Sequence, residues 1–183
     1  KYMSDPLLSF FGRICLIPVI GGSIYAFLCM LAVLCFRKQS ASSFRRSFRE
    51  WPPVSVLKPV CGLEKNHKES LRSACVQDYP KYQVVFAVQD PLDPVIPLLE
   101  EIEKEFGPEL VSIVIENRQA GPNRKINNLL AALSHARYDI LIVNDSDVRL
   151  NPDYLKTIVP SLLDPGVGCA CTLYRATCGD RWF

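Results

Sequence analysis

Two hydrophobic rhythms divide the chain. Ile14–Phe36 is almost uniformly apolar, with no Asp, Glu, Lys or Arg in 23 positions. As a helix at about 1.5 Å per residue, that run extends roughly 34 Å, enough to cross a hydrocarbon core. Pro18 and Gly21-Gly22 can bend such a helix but do not forbid it. A cleaved secretion signal would have a shorter apolar stretch, about 7–15 residues, and a small-residue cleavage site. Here Phe36-Arg37-Lys38 follows instead. Arg37, Lys38, Arg45, Arg46 and Arg49 come after the run with no acid among them, against Lys1, Asp5 and Arg13 before it. The positive-inside bias therefore places the C-terminal side in the cytosol and the N-terminus outside or in a lumen. Phe44 and Phe48, set among the arginines, read equally as an interfacial segment on anionic lipid or as a solvated basic linker.

After Pro52 the period shortens and alternates. Residues 54–57 are a short β-branched run ended by Lys58-Pro59. Residues 64–76 are polar with an apolar edge at Leu71, Ala74 and Cys75, which predicts a helix. Tyr82–Val88 is a nearly continuous apolar strand, the pattern of a sheet covered on both faces. Val95, Leu98, Leu99, Ile102 and Phe106 follow helical spacing, and so do Ile126, Leu129, Leu130 and Leu133. Val111–Ile115 and Ile140–Val143 read as strands between and after them. Asn151-Pro152 opens another helix with proline in its first turn. Residues 167–173 read as a last strand. The order βαβαβαβαβ predicts an α/β fold, a mostly parallel, Rossmann-like sheet with helices on both faces. The expected organisation is a flank (1–13), a membrane helix (14–36), a basic juxtamembrane linker (37–51) and an α/β domain (52–183).

Composition narrows this picture. With 49% hydrophobic and 22% charged residues, the 183-residue chain is not a disordered or low-complexity protein. A net charge of +2 argues against nucleic acid as a partner. Cys15, Cys29 and Cys35 lie in the apolar run; Cys61, Cys75, Cys169, Cys171 and Cys178 are scattered. There is no CxxC, and His67 and His135 are not at zinc-finger spacing from any cysteine. Reduced and mostly buried thiols of a cytosolic domain are the expectation.

Parallel α/β sheets bind ligands at the carboxyl ends of their strands. Lys58 follows the first strand, Asp90 the second, and Asn144-Asp145-Ser146-Asp147 the fourth. Asp145 and Asp147, one residue apart after a buried strand, suit a divalent cation. Mg²⁺ or Mn²⁺ takes one or two protein carboxylates and leaves positions for diphosphate oxygens, neutralising charge on a diphosphate leaving group. The plainer reading is an Asx turn leading to a helix. Asp90 can accept from a base N–H or a ribose hydroxyl, while helix capping suits Asp93 better. Lys125 stands near a helix N-terminus, where it can meet phosphate oxygens or be a solvated surface lysine. Lys58, a charge at the end of a buried strand, requires a partner, either a structural ion pair or a ligand contact.

Together, Val54-Ser55-Val56-Leu57-Lys58-Pro59, Gln77-Asp78-Tyr79-Pro80-Lys81-Tyr82, Val88-Gln89-Asp90, Asn123-Arg124-Lys125-Ile126-Asn127-Asn128-Leu129, Tyr138-Asp139 and Asp145-Ser146-Asp147-Val148-Arg149 resemble the ceramide glucosyltransferase-like family, glycosyltransferase family 21, of the GT-A fold. The resemblance covers roughly residues 53–174, and the N-terminal anchor also fits. The Asp-Ser-Asp-Val form resembles bacterial members, including hopanoid-linked relatives, more than animal ones. The resemblance implies an inverting transferase that moves a sugar from a UDP-sugar donor to a lipid hydroxyl such as that of ceramide, at the cytosolic face of a membrane; glucose is the first expectation, with galactose and N-acetylglucosamine donors sharing the same uridine-diphosphate half. It implies that Asp90 contacts the uridine and that Asp145 and Asp147 hold the metal and the diphosphate. Lys58 and Lys125 would support the nucleotide. The family's general-base aspartate on the acceptor hydroxyl and its (Gln/Arg)-x-x-Arg-Trp motif are expected downstream. Arg181-Trp182 lacks the upstream partner, since position 178 is Cys. The expectation is thus a donor-binding part of a longer protein, with no catalytic residue of its own and inactive alone. Three rival functions share parts of this pattern. An aspartyl-nucleophile phosphatase also places Asp-x-Asp after an apolar strand, but wants Thr or Val where Arg149 stands. Another GT-A transferase would share the donor site and act on a hopanoid, polyprenyl-phosphate or polysaccharide acceptor. A non-catalytic, membrane-tethered module would bind nucleotide without transferring a sugar.

Overall fold

A computed structural model describes residues 6–43, 50–64, 66–117 and 120–175. The chain divides into two compact units, Lys1–Arg46 and Ser47–Phe183. In the first, helix α1 spans Pro6–Ser43 and continues without interruption past Pro18. Its Ile14–Phe36 portion is long and apolar enough to cross a membrane. Large apolar side chains such as Ile17, Tyr25 and Leu31 are exposed there, as a helix that is apolar all round requires when lipid is its solvent. The helix outlasts the apolar run, so Arg37 and Lys38 continue it. Lys1, Asp5, Phe44, Arg45, Arg46, Phe48 and Arg49 lie outside the described residues, as do Cys178, Arg181 and Trp182.

The second unit is an α/β layer structure. Strands β1 (Val54–Pro59), β2 (Tyr82–Val88), β3 (Val111–Ile115) and β4 (Ile140–Val143) form one sheet in the order β3-β2-β1-β4. All three pairings are parallel. Helices α2 (His67–Ser73), α3 (Ile96–Phe106), α4 (Arg124–Ser134) and α5 (Tyr154–Leu162) connect or follow them. β1 is buried throughout, Ser55 and Lys58 included, and β2 is buried beyond Tyr82, as its nearly continuous apolar run demands. The pleat then sorts the core. Val54, Val56, Val84 and Phe86 meet Leu71 of α2, Leu99 and Ile102 of α3, and Leu155 and Val159 of α5. Leu57, Val85, Ala87 and Val114 meet Ala131 and Ala132 of α4 on the opposite face. Strands β1, β2 and β3 step in one direction across the sheet, and β4 returns to the other side of β1. That reversal is a topological switch point, where such sheets open a crevice at their carboxyl ends.

The structure departs from the sequence pattern in several places. Residues 167–173 form no strand. Their apolar alternation finds no ladder: Val167 N–H closes a turn onto the Asp164 carbonyl, Ala170 rests against the main core, and Leu173 is exposed. A strand exists only by pairing, which composition alone does not reveal. α2 begins at His67 rather than at residue 64, because Asn66 adopts a left-handed conformation, φ 95°, before it. α4 turns an unexpected face to the sheet. Asn127, Asn128, Ala131 and Ala132 are buried, while Ile126, Leu130 and Leu133 are exposed. The two alanines let the helix approach closely, and the two asparagines tie its flanking loops. Asn127 Oδ1 accepts from the Ala120 and Gly121 amides, and Asn128 Nδ2 donates to the Val60 carbonyl. The thiols also differ from expectation. Among the described cysteines of this unit Cys75 is buried, but Cys61, Cys169 and Cys171 are exposed, because they stand on loops after β1 and α5 rather than on core faces.

Candidate functional site

A cavity of about 290 Å³ opens at the carboxyl ends of the strands around the switch point. Asp90 reaches it from the end of β2, Lys125 from the first turn of α4, and Asp145 and Asp147 from the loop after β4. Four of the five residues singled out in the sequence are thus gathered on one cavity. Lys58 is not among its lining residues; the wall nearest to it in sequence is Pro59 and Val60.

Each side chain is placed by local chemistry. Asn123 caps α4: its Oδ1 accepts from the Lys125 amide at 3.0 Å and the Ile126 amide at 3.4 Å, satisfying donors that a helix start leaves open. This cap fixes Arg124 and Lys125 at the rim. Arg124 Nε donates to Gln89 Oε1 at 3.3 Å, tethering the helix start to the end of β2. Lys125 Nζ pairs with Asp145 Oδ1 at 2.5 Å. Asp90 Oδ1 accepts from the Leu92 amide at 2.9 Å, an Asx turn. Asp93 closes two loops at once: its Oδ1 accepts from the Val95 amide and its Oδ2 from the Gly62 amide. Asp93 therefore serves the turn before α3, while Asp90 stands exposed on the cavity.

The acidic loop is held from below. Asn144 N–H continues the sheet ladder to the Leu57 carbonyl. The Lys58 ammonium, with 0% exposure, donates to Asn144 Oδ1, to the Asp145 carbonyl at 2.7 Å and to the Val148 carbonyl at 3.0 Å. Ser70 Oγ of α2 donates to the Asp147 carbonyl at 3.1 Å, and Ser73 Oγ accepts from the Leu150 amide. Burial lowers the Lys58 pKa to about 8, against the upward pull of the Asp147 and Asp145 charges. Arg149 turns away and pairs with Glu69 on the exposed side of α2. Tyr174 comes back within electrostatic range of the acidic pair; its phenol pKa is raised by burial first and then by the Asp145 charge.

Sequence reasoning assigned no role to Gln89, Arg124, Asn128, Asn144 or Ser70. Gln89 and Arg124 stand inside the quoted motifs. Asn128 stands inside one as well, while Ser70 betrays itself only as a polar residue on a helix face that turns out to be buried. Asn128 Oδ1 is a buried acceptor with no hydrogen-bond partner, and its residue lines the cavity.

The donor set has a definite chemistry. Among the described residues no three His, Cys, Asp or Glu side chains gather to hold a metal by themselves. Two carboxylates beside an open cavity fit a hard cation that takes one or two protein oxygens and completes its shell with water and phosphate. They do not fit a closed structural site.

The chain is similar to ceramide glucosyltransferase of Candida albicans, 35% identical over 121 residues, which are 60% of this chain and 22% of that protein. It is also similar to ceramide glucosyltransferase of Gibberella zeae, 26% identical over 180 residues, which are 87% of this chain and 34% of that protein. It thus spans between a fifth and about a third of the length of these curated relatives. Among solved structures it is similar to the mannosyltransferase PcManGT from Pyrobaculum calidifontis in complex with GDP-Man and Mn²⁺, at 25% identity and a TM-score of 0.55, covering 74% of this chain and 41% of that one. The parallel sheet with its switch-point cavity is a GT-A-like arrangement. The model of glycosyl transferase family 21 matches residues 15–182, from the apolar helix through the acidic loop and past it, so the chain belongs to that family.

Proposed function

We propose that this chain is the donor-binding part of a membrane-anchored, inverting glycosyltransferase that takes a UDP-sugar, with glucose as the sugar, and delivers it to a lipid hydroxyl such as that of ceramide. The observation that carries this reading is the convergence of Asp90, Lys125, Asp145 and Asp147 on one cavity at the switch point. Asp90 accepts from the uracil N–H or a ribose hydroxyl. Asp145 and Asp147 would hold Mg²⁺ or Mn²⁺, and that cation, when bound, neutralises charge on the departing diphosphate. Lys125, a compact point charge, turns from Asp145 to phosphate oxygens. The cavity lies near the lower end of the ~300–1,000 Å³ range of small-molecule sites, a size that suits the nucleotide portion of the donor. None of the chain's residues is assigned as the general base, which belongs to the family's downstream aspartate. This 183-residue chain therefore binds donor without turnover.

The names of the relatives support a lipid acceptor, and the ligands of PcManGT support a nucleotide sugar with a divalent cation. Ile14–Phe36 supplies the anchor, and the arginines after it put the donor site on the cytosolic side. The test is donor selectivity of the chain in detergent with Mn²⁺, by calorimetry. UDP-glucose should bind saturably and GDP-mannose at least about tenfold more weakly, the scale of one or two lost base contacts. Equal binding of both nucleotides, or of neither, contradicts the reading.

A further inference from the structure

We propose that Lys58 is a positioning residue, whose buried ammonium acts as a built-in cation beneath the acidic loop and sets Asp145 and Asp147 for metal; the proposal rests on the donor-site reading above.

Lysine is almost never fully buried unless its charge is compensated. Here the compensation is unusual. The ammonium has three N–H donors, and it meets three neutral oxygens, Asn144 Oδ1 and the carbonyls of Asp145 and Val148. All three belong to one five-residue loop, and they bracket the acidic pair on both sides. Ser70 holds the intervening Asp147 carbonyl from α2. The loop backbone therefore points its oxygens inward, and the carboxylates of Asp145 and Asp147 line the cavity.

Lys58 also acts through charge. Two carboxylates one residue apart repel each other, and in the metal-free site the Lys58 charge offsets that repulsion by attracting both, the coupling that pulls its own pKa upward against burial. Asp145 thus lies between two lysines of different character. Lys125 pairs with it from the half-exposed rim and is free to leave when a cation arrives. Lys58 is enclosed and stays. Because Lys58 does not line the cavity, its influence on the nucleotide passes through the loop.

The test compares the unaltered chain with Lys58→Met, a side chain of similar length without donors, both in detergent and both checked for fold by circular dichroism. Mn²⁺ affinity in the presence of UDP is read from the electron paramagnetic resonance of free Mn²⁺. Binding of uridine, which lacks the diphosphate, is read by saturation-transfer NMR. Lys58→Met should weaken Mn²⁺ about 10–100-fold, the usual effect of losing a residue that supports metal ligands, and leave uridine binding unchanged. Loss of uridine binding would show that Lys58 touches the nucleotide and overturn the proposal. A lowered melting temperature with unchanged Mn²⁺ affinity would reduce Lys58 to a packing role and overturn it equally. If Lys58→Met does not fold, Asn144→Ala removes one of the three acceptors and should weaken Mn²⁺ in the same direction; unchanged affinity there overturns the proposal. If the unaltered chain shows no Mn²⁺ binding with UDP, the donor-site reading and this role fall together, an outcome separable from a defect confined to the variants.

Discussion

Asp90 and Asp145 carry the same side chain on the same cavity, yet their surroundings differ. Asp90 is exposed, and its carboxylate accepts from the Leu92 amide in a local turn, whereas Asp145 sits against Lys125 on a loop fastened by Lys58. Asp90→Ala should therefore weaken UDP about 10–100-fold, the worth of a hydrogen bond to a charged acceptor, by equal factors with and without Mn²⁺. A changed metal dependence in that variant, measured by calorimetry, would contradict a uridine contact. Cys75 gives a second check at this scale. Burial pushes its thiol up to about 12, so at pH 8 iodoacetamide should modify exposed Cys61 in the folded chain and spare Cys75, as peptide mass spectrometry would show. The folded pKa lies above the ordinary 9.0, so the folded state keeps a proton that the unfolded chain releases between about pH 9 and 12. Stability from this group is present below pH 9 and is lost as pH rises through that window.

Elements were legible where one physical cause dominated. A short β-branched run specified β1, a nearly continuous apolar run specified β2, and helical spacing specified α3, where Val95, Leu99 and Ile102 are buried and Leu98 and Phe106 are partly buried against the same core. Pattern misled where pairing or close approach decided. Residues 167–173 have strand-like composition but no ladder, and α4 buries two asparagines and two alanines in preference to its isoleucine and leucines. In the site, the carboxylates were readable because they follow strands. The residues that fasten the acidic loop, Asn144 and Ser70, and the one that fastens the start of α4, Gln89, were not, because a buried polar group shows itself only once its partner is in place. The start of α4 is a testable element. Asn123→Ala should cost about 1 kcal/mol through loss of the cap, lowering the melting temperature. It should also weaken UDP binding, because the cap holds Arg124 and Lys125 at the cavity. Intact UDP affinity in a destabilised Asn123→Ala chain would show that the helix start does not position the site.

At the scale of the whole molecule, two compact units carry separable properties. The first contains a helix whose central run is long and apolar enough to cross a membrane. Expressed in cells, the chain should stay in the membrane pellet through an alkaline carbonate wash and leave it only with detergent. Release by carbonate would reduce Ile14–Phe36 to a surface association. In the second unit, the order β3-β2-β1-β4 explains why residues far apart in sequence share one cavity. The switch point brings the ends of β1 and β4 together, and the ends of β1 and β2 are neighbours by register. Any sequence that alternates strand and helix in this way gains such a crevice; the acidic and basic residues at its strand ends are what give this one its chemistry.

The central claim is a metal-dependent nucleotide site built on Asp145. Its most direct measurement is a calorimetric titration of UDP into the folded chain in detergent, with Mn²⁺ and with EDTA, for the unaltered chain and for Asp145→Asn. The account predicts saturable binding that strengthens at least about tenfold with Mn²⁺ in the unaltered chain, and no Mn²⁺ enhancement in Asp145→Asn. UDP binding that ignores Mn²⁺, or an Asp145→Asn chain that keeps the full enhancement, would contradict it.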